Sequence, residues 1–311
     1  MNTLDRQYSR LLDTVLEYGK VKTDRTGTGT KSIFGYTIRH TMSNGFPLLT
    51  TKKMAVKTMM TELKWFLKGD TNIKYLVDNK CNIWNGDAYK KYREAVTEVG
   101  LFDNIMSQEE FITKIKTDDK FAQRWGELGP IYGKQWREWS TRTTREEKIV
   151  NPSVYVKHID QIKNLINDLK NNPDSRRLMV SAWNVGELDQ MTLPPCHYGF
   201  QCYVSNNKLS LMWNQRSVDI PLGLPFNIAS YGTLLLLLCE ETGYEPGELI
   251  GNLGDCHIYS NQIEGVREQI SRDGFNLPTI KLSNVDILNG EFDYELVDYQ
   301  SATPIKFPLS N

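Results

Sequence analysis

Apolar residues recur every three to four positions along two stretches of the chain, which is the spacing of an amphipathic helix. The first helix begins near Leu4 and ends at Gly19, and the second, "HIDQIKNLINDLKNNP", ends before Pro173. A third stretch, "AVKTMMTELKWFLKG", is apolar on most sides and predicts a buried helix that ends at Gly69. Glu62 lies inside this helix. Either a solvated edge position or a function explains a carboxylate there.

Other stretches have the composition of strands. "KSIFGYTIRHTM" is rich in β-forming residues, and "RRLMVSAW" predicts a buried strand opened by Arg176 and Arg177, whose side chains diverge to opposite faces. "YGFQCYVSNNKLSLMWNQRS" predicts two strands joined by a tight turn at Asn206 and Asn207. The apolar stretch "YGTLLLLLCEETGYE" is too short to span a bilayer and predicts a buried helix.

The predicted hairpin brings a cysteine close to an arginine. With the turn at its centre, Cys196 faces Ser217, and His197 faces Arg216. A bulge moves this pairing by one residue and still leaves Arg216 near the cysteine. The hairpin therefore predicts that Cys196 and Arg216 lie close together in space.

Two interpretations of Cys196 follow from that neighbourhood. Most free cysteines are small apolar core residues. A guanidinium, however, stabilises the nucleophilic thiolate, and arginine with a serine hydroxyl binds phosphate. We therefore favour a nucleophile beside an anion-binding pair, Arg216 and Ser217. The alternative is a structural ion pair from Arg216 to Asp219.

Composition narrows the class of protein. The 311 residues carry 37 Lys plus Arg against 38 Asp plus Glu, so no basic field indicates nucleic acid as a partner. Five cysteines without framework spacing predict free thiols and a reducing, cytoplasmic location. The N-terminus has no signal-peptide pattern. The four histidines have no ligand spacing, so no metal site is expected.

Three further segments carry weaker signals. "DRTGTGT" matches neither the P-loop nor the dinucleotide fingerprint, and Arg25 is its informative residue. "GDCHIYSNQ" places His257 and Tyr259 on one face of a strand, either as donors to a sugar hydroxyl or as a core pair. Residues 100–125 are polar and predict a short helical surface insertion with a capping box at "SQEE".

Several blocks together closely resemble the thymidylate synthase family: "DRTGTGT", "GFPLLTTKK", "ELKWFLKGDTN", "LGPIYGKQW", "DSRRLMVSAWNVGEL", "LPPCH", "QRSVDIPLGLPFNIASY" and "GDCHIYSN". The resemblance covers nearly the whole chain. It implies a single α/β domain over residues 1–311, with a large mixed sheet flanked by helices and one sheet face packed in a homodimer. It also implies deoxyuridylate (dUMP) and 5,10-methylenetetrahydrofolate as substrates.

The resemblance also implies roles for individual residues. Cys196 adds to C6 of the uracil, which activates C5 toward the folate one-carbon unit. Glu62 relays protons through water, and Asn227 reads the uracil edge. The other catalytic residues implied by the resemblance are Tyr132 and His197. The implied nucleotide-binding residues are Arg25, Arg176 and Arg177 from the other subunit, Gln215, Arg216, Ser217, Asp219, His257 and Tyr259. The implied folate-binding residues are Trp84, Asp219, Leu222, Gly223, Phe226 and Asn311.

The chain departs from the family pattern around the folate side. The second folate-stacking tryptophan is replaced by an acid, and the C-terminal end is polar rather than apolar. The departing positions are Gly86, Asp87, Asn214, Gln262, Ser310 and Asn311.

These departures predict a different last step. A polar wall admits water, which would capture the exocyclic methylene on the nucleotide with Asp87 or Glu62 as general base. We therefore expect a hydroxymethylase that forms 5-hydroxymethyl-dUMP, like the family members associated with viruses that modify their DNA. Asn227 favours uracil over cytosine. The alternatives are an ordinary thymidylate synthase and an inactive nucleotide-binding homologue; the presence of Cys196 and Glu62 argues against the latter.

Overall fold

The computed structural model describes residues 1–23, 27–98, 100, 105–144 and 154–310. Its helices are α1 Thr3–Tyr18, α2 Val56–Leu67, α3 Lys74–Asp78, α4 Asn85–Glu98, α5 Gln108–Thr117, α6 Asp119–Trp125, α7 Tyr132–Glu138, α8 Gln161–Asn171, α9 Gly223–Thr242 and α10 Ile263–Ile270. Its strands are β1 Lys20–Lys22, β2 Thr30–Thr41, β3 Trp139–Thr144, β4 Val154–Ile159, β5 Met179–Ser181, β6 His197–Ser205, β7 Lys208–Asp219, β8 Glu245–Tyr259, β9 Thr279–Asp286 and β10 Glu291–Val297.

A mixed sheet organises the molecule. Its six strands follow the order β1-β2-β8-β7-β6-β5. Strands β7 and β8 are parallel and connected through α9, whereas the other neighbours are antiparallel. Helices α1 and α9 pack on this sheet, and α2 packs on α9. The predicted α/β fold with a large mixed sheet flanked by helices is confirmed.

Helix α9 is the core of the molecule. Its leucines, from Leu234 to Leu238, are almost all buried, because the helix lies between β7, β8 and α2. Its length and composition alone would allow it to cross a membrane, but about two thirds of it is buried within the protein. Gly243 ends the helix with a φ of +79°, a conformation that glycine adopts without strain. The predicted buried helix is confirmed, but the expectation that it is too short to span a bilayer was wrong, because the helix begins at Gly223, before the apolar stretch.

The predicted helix ends are close to the observed ones. Helix α1 ends before Gly19, whose N–H donates to the carbonyl of Val15. Helix α2 stops two residues before Gly69, which has a φ of +72°. Helix α8 ends at Asn171, ahead of Pro173. Local sequence signals therefore predict these ends well.

The prediction for the two adjacent arginines was wrong. Arg176 and Arg177 lie in a turn before β5 rather than inside the strand, and both are exposed. Strand β5 has only three residues, Met179–Ser181, which pair with the middle of β6. The chain forms a turn between α8 and β5 at this point, so the two arginines take no part in the strand pairing of the sheet.

The predicted capping box is present at the start of α5. The Ser107 side chain accepts from the N–H of Glu110, and the Glu110 carboxylate accepts from the N–H of Ser107. The helix is not polar on all sides, however: Phe111 and Ile115 are fully buried. The Phe111 ring lies 5.1 Å from that of Tyr92 on α4. The inner side of this segment is therefore part of the core.

Candidate active site

A cavity of about 810 Å³ opens where β6, β7 and β8 meet the N-terminus of α9. That volume suits small ligands held by a few polar groups in an otherwise apolar wall. The lining residues are Lys22, Thr23, Thr30, Glu62, Asn82, Ile83, Trp84, Asp87, Tyr132, Leu193, Cys196, His197, Gln215, Arg216, Ser217, Asp219, Leu222, Gly223, Phe226, Asn227, Asp255, His257, Tyr259, Phe307, Leu309 and Ser310.

Cys196 differs from the other four cysteines. It lies on the cavity wall and is half-buried, whereas the other four thiols are buried in the core. Burial raises the pKa of the Cys81, Cys239 and Cys256 thiols to about 12, which keeps them protonated. Only Cys196 combines a free thiol with access to a ligand-sized space.

Arg216 lies beside this cysteine, because a bulge between His197 and Gly199 shifts the hairpin register. His197 therefore pairs with Gln215, and the N–H of Arg216 donates to the carbonyl of Cys196 at 2.8 Å. The predicted pairing was wrong by one residue, but the predicted neighbourhood was right. The turn residues Asn206 and Asn207 have φ values of 51° and 60°, as a tight hairpin turn requires.

The Arg216 side chain is exposed toward the cavity. Its guanidinium donates to the carbonyls of Pro194 and Pro195 at 2.8 and 3.0 Å. It also lies 5.4 Å from the ring centre of Trp183. Among the described residues, no ion pair links it to Asp219. These contacts hold a cation at the cavity wall.

Glu62 on α2 reaches the same cavity from the other side. Its Oε1 accepts from the Trp84 indole N–H at 2.8 Å. Burial raises the pKa of this carboxyl to about 7, and the Trp84 donor only partly opposes the shift. At neutral pH both the protonated and the ionised forms are populated, which suits a proton-transfer group.

Two rings position the nucleophile. The Tyr132 hydroxyl accepts from the N–H of Cys196 at 2.8 Å, and the Tyr132 ring stacks on His197 at 4.3 Å. The His197 Nδ1 lies 2.8 Å from the Tyr231 hydroxyl. Burial lowers the pKa of His197 to about 3, so its imidazole is neutral. Backbone and ring contacts thus fix the cysteine without adding charge beside it.

A network on β7 orients the residue predicted to read the base. The Gln215 amide donates to the carbonyl of Ser217 at 3.0 Å and to Oδ1 of Asn227 at 3.2 Å. Trp213 in turn donates to Oε1 of Gln215 at 3.1 Å. Because Gln215 is 4% exposed, this arrangement is built into the core of the sheet.

His257 and Tyr259 point into the cavity from one face of β8, as predicted. Their rings meet edge to face at 5.2 Å. The core-pair interpretation is therefore incomplete, since both side chains border the ligand-sized space.

The other end of the cavity is mostly apolar. Trp84, Leu222 and Phe226 line it, and the Asp219 carboxylate accepts from the N–H of Leu222 at 3.1 Å. Burial raises the pKa of the Asp219 carboxyl. An apolar wall with one acceptor fits a heteroaromatic ligand.

The comparisons with known proteins agree with this geometry. The family model described as thymidylate synthase matches residues 6–311. The chain belongs to the thymidylate synthase family. It is 48% identical to the thymidylate synthase of Mycoplasma mobile over 96% of this chain and 98% of that protein. It is 46% identical to that of Mycoplasma pneumoniae, over 97% and 98%. It is 45% identical to that of Listeria monocytogenes, over 98% and 99%.

Membership of this family settles the chemical class. The family comprises folate-dependent pyrimidine methyltransferases, which bind dUMP and use 5,10-methylenetetrahydrofolate as co-substrate. The relatives named above carry the name thymidylate synthase, and none of them is named a hydroxymethylase. The comparisons therefore favour the synthase alternative over the hydroxymethylase expectation.

The structure does not test or does not support the placement of four predicted site residues. Arg25 and Asn311 lie outside the described residues. Arg176 and Arg177 are exposed and are not among the residues that line the cavity. The described residues contain no group of three potential metal ligands.

The positions that depart from the family pattern lie in different places. Asp87, in the first turn of α4, and Ser310 line the cavity. Asn214 instead accepts from Asn252 on the neighbouring strand, away from the lining residues. Gln262 lies behind the wall and contacts Asp219. The departures are therefore not one cluster.

Sequence reasoning missed several supporting residues. Trp183 contacts Arg216, and Tyr231 holds His197. Both lie inside blocks that carry the family resemblance, but the sequence assigned neither of them a role. Lys22 and Asp255 form an ion pair of 3.1 Å at the cavity wall. The prolines of "LPPC" were a further signal in the sequence, because their carbonyls hold Arg216.

Proposed function

We propose that this protein is a thymidylate synthase, which transfers a one-carbon unit from 5,10-methylenetetrahydrofolate to C5 of dUMP and forms dTMP and dihydrofolate. The observation that carries the proposal is one cavity with Cys196 beside Arg216 on one side and Glu62 on the other. The names of the similar proteins support the same activity.

The nucleotide side of the cavity provides the first step. Arg216 and Ser217 bind the phosphate and His257 and Tyr259 the ribose hydroxyl, which places C6 of the uracil against the Cys196 sulfur. The thiolate adds to C6, and the electron pair moves into an enolate at C5 and O4. Asn227, oriented by Gln215, hydrogen-bonds the uracil edge.

The folate side supplies the one-carbon unit and, at the end, a hydride. This chain's residues hold the ring system between Trp84, Leu222 and Phe226, with Asp219 as its acceptor. Glu62 moves protons at the uracil, which the mixed protonation of its carboxyl permits. Phe307 and Leu309 close this end with apolar side chains, which limits water.

The hydroxymethylase remains the second candidate because Asp87 lies on the cavity wall. Incubation with dUMP and 5,10-methylenetetrahydrofolate separates the two. We expect mass spectrometry to show a nucleotide with the mass of dTMP. We expect the absorbance of dihydrofolate to show one dihydrofolate formed per nucleotide. A 5-hydroxymethyl product without dihydrofolate would establish the second candidate.

Substitution of Asp87 tests its part in that choice. We expect Asp87→Asn to leave the ratio of dTMP to dihydrofolate unchanged, because the apolar residues Phe226 and Phe307 exclude water. The ratio is measured by mass spectrometry of the nucleotide and absorbance of the folate. A wild type that forms hydroxymethyl nucleotide, and an Asp87→Asn variant that does not, would assign Asp87 as the base for water.

We also propose that the protein acts as a homodimer in which Arg176 and Arg177 complete the phosphate site of the other subunit. Both arginines are exposed and outside their own cavity. Large apolar side chains on the sheet are exposed too, at Phe34, Met179 and Tyr203. We propose that the second subunit covers these side chains.

Mixing two inactive variants tests shared sites. We expect Cys196→Ala and the double variant Arg176→Glu, Arg177→Glu each to be inactive alone. After unfolding and refolding together, half of the dimers are mixed and have one intact site, so about a quarter of wild-type activity returns. No recovered activity, with dimers confirmed by sedimentation, would contradict the shared site.

We propose that residues 1–311 form one catalytic domain, with residues 100–125 as an insertion. The free cysteines fit a reducing compartment, and we therefore propose a cytoplasmic location.

A further inference from the structure

Gln262 lies behind the cavity wall, in the single turn Ser260–Gln262 that joins β8 to α10, and is 1% exposed. Its Oε1 accepts from the N–H of Tyr259 at 3.0 Å. Its Nε2 donates to the Asp219 carboxylate, 3.3 Å from each oxygen, and to the carbonyl of Pro308 at 3.2 Å. An amide nitrogen has two hydrogens, so both are used.

These partners come from distant parts of the chain. Asp219 ends β7, and Pro308 belongs to the C-terminal segment, residues 305–310. Asp219 is the carboxylate at the folate side of the cavity, whereas residues 307, 309 and 310 form part of the cavity wall. A single buried amide therefore connects a ligand-binding group to the wall that faces it.

Other contacts place the C-terminal segment at the same spot. Gly265 on α10 has no side chain, and a Cβ there would lie 2.7 Å from the Phe307 ring. The Lys52 ammonium lies 4.7 Å from the centre of that ring. Asn261 donates to Oγ of Ser310 at 3.4 Å. The segment thus has an apolar attachment through Phe307 and a polar one through Gln262.

We propose that Gln262 is a positioning residue that fastens the C-terminal segment to Asp219, so that the folate-side carboxylate and the cavity wall hold one relative position. The part that concerns folate rests on the proposed function. The part that concerns the segment does not, because it depends only on the contacts within the chain.

The isosteric change Gln262→Glu isolates the two donated hydrogen bonds. The new carboxylate faces the Asp219 carboxylate and the Pro308 carbonyl, so attraction becomes repulsion. We expect the KM for 5,10-methylenetetrahydrofolate to rise by about 10-fold or more, since hydrogen bonds to a charged group are lost. We expect the affinity for dUMP to change little, because the described hydrogen bonds of Gln262 do not include Arg216 or Ser217, and a glutamate keeps the oxygen that accepts from Tyr259.

A second readout needs no substrate. Carboxypeptidase Y trims an unfastened C-terminus faster, and we expect Gln262→Glu to speed the release of the terminal residues by about 10-fold relative to wild type. Gln262→Leu, which adds no charge, replaces the glutamate variant if the latter fails to fold.

Gln269 provides the matched control. It lies on α10, is fully buried and bonds the Thr51 hydroxyl instead of Asp219 or Pro308. Gln269→Glu, or Gln269→Leu, therefore makes the same change at equal burial. We expect it to lower thermal stability while the trimming rate and the folate KM stay at wild-type values.

The outcomes separate the proposals. Equal trimming rates in wild type and in the Gln262 variant, glutamate or leucine, would overturn the fastening role and leave Phe307 as the attachment. Faster trimming of the Gln262 variant with an unchanged KM for folate would overturn the proposal that Gln262 positions Asp219 for folate binding. If the wild type formed no product from dUMP and folate, the proposed function would fail while the trimming result still judged the fastening.

Discussion

Cys196→Ser is expected to lower turnover by at least about 10⁴-fold, because a hydroxyl in place of the thiolate is a far weaker nucleophile at neutral pH. The structure isolates this residue, since the other four cysteines are buried in the core. Steady-state formation of dihydrofolate measures the loss.

The same variant should also lose the covalent link to nucleotide. Wild-type protein quenched during turnover should show the added mass of the nucleotide, and the serine variant should not. Binding of dUMP should persist, because Arg216 is held by the carbonyls of Pro194 and Pro195 rather than by the thiol.

Cys239→Ala is the control for loss of a thiol. Cys239 lies on α9, away from the cavity, and is 6% exposed. We expect this variant to be less stable but fully able to form the adduct. Residual turnover of Cys196→Ser well above about 0.01% of wild type would contradict the role of the Cys196 thiolate as the nucleophile.

Glu62→Gln has the second largest expected effect, a decrease in turnover of about 10²–10³-fold. The amide keeps the size of the side chain and can still accept from Trp84, but it cannot carry a proton. The wild-type rate should change with pH near 7, where the carboxyl titrates. In the glutamine variant this change should disappear.

The raised pKa also predicts an effect on stability. The folded protein holds the Glu62 proton up to about pH 7, whereas the unfolded chain releases it near 4.5. Below pH 4.5 Glu62 is protonated in both states and the protein has its full stability. The free energy of unfolding then decreases as the pH rises from 4.5 to 7. Glu62→Gln should remove the loss, so that at pH 8 it stabilises the protein by about 3 kcal/mol relative to wild type.

Urea unfolding at pH 5 and pH 8 measures this difference. Glu109→Gln is the control, because Glu109 is exposed on α5. It should change neither the turnover nor the pH dependence of stability. A Glu62 variant that keeps wild-type turnover, or one that is less stable at pH 8 than wild type, would contradict the assigned role.

The two largest effects come from opposite walls of one cavity. Cys196 precedes β6, and Glu62 lies on α2, far apart in the chain. The sheet and the helix must both be in place before either residue can act on the same ligand. The activity is therefore a property of the packed α/β core rather than of a local motif.

Local sequence determined the elements of this protein. Periodic apolar residues, glycines with positive φ and the Asn206–Asn207 turn place α1, α2, α8 and the central hairpin within a few residues of their observed bounds. Such signals act over short stretches, where backbone preference and the burial of one helix face decide the conformation. The blocks that carry the family resemblance are local in the same sense.

Only the tertiary structure decided the state of the site. The bulge at the start of β6, the carbonyls that hold Arg216 and the burial that raises the pKa of Glu62 depend on how strands and helices meet. Gln262 shows this most clearly, because its neighbours in sequence give no sign of Asp219 or Pro308. Desolvation and hydrogen bonding between distant segments arise from packing, which no short pattern of residues encodes.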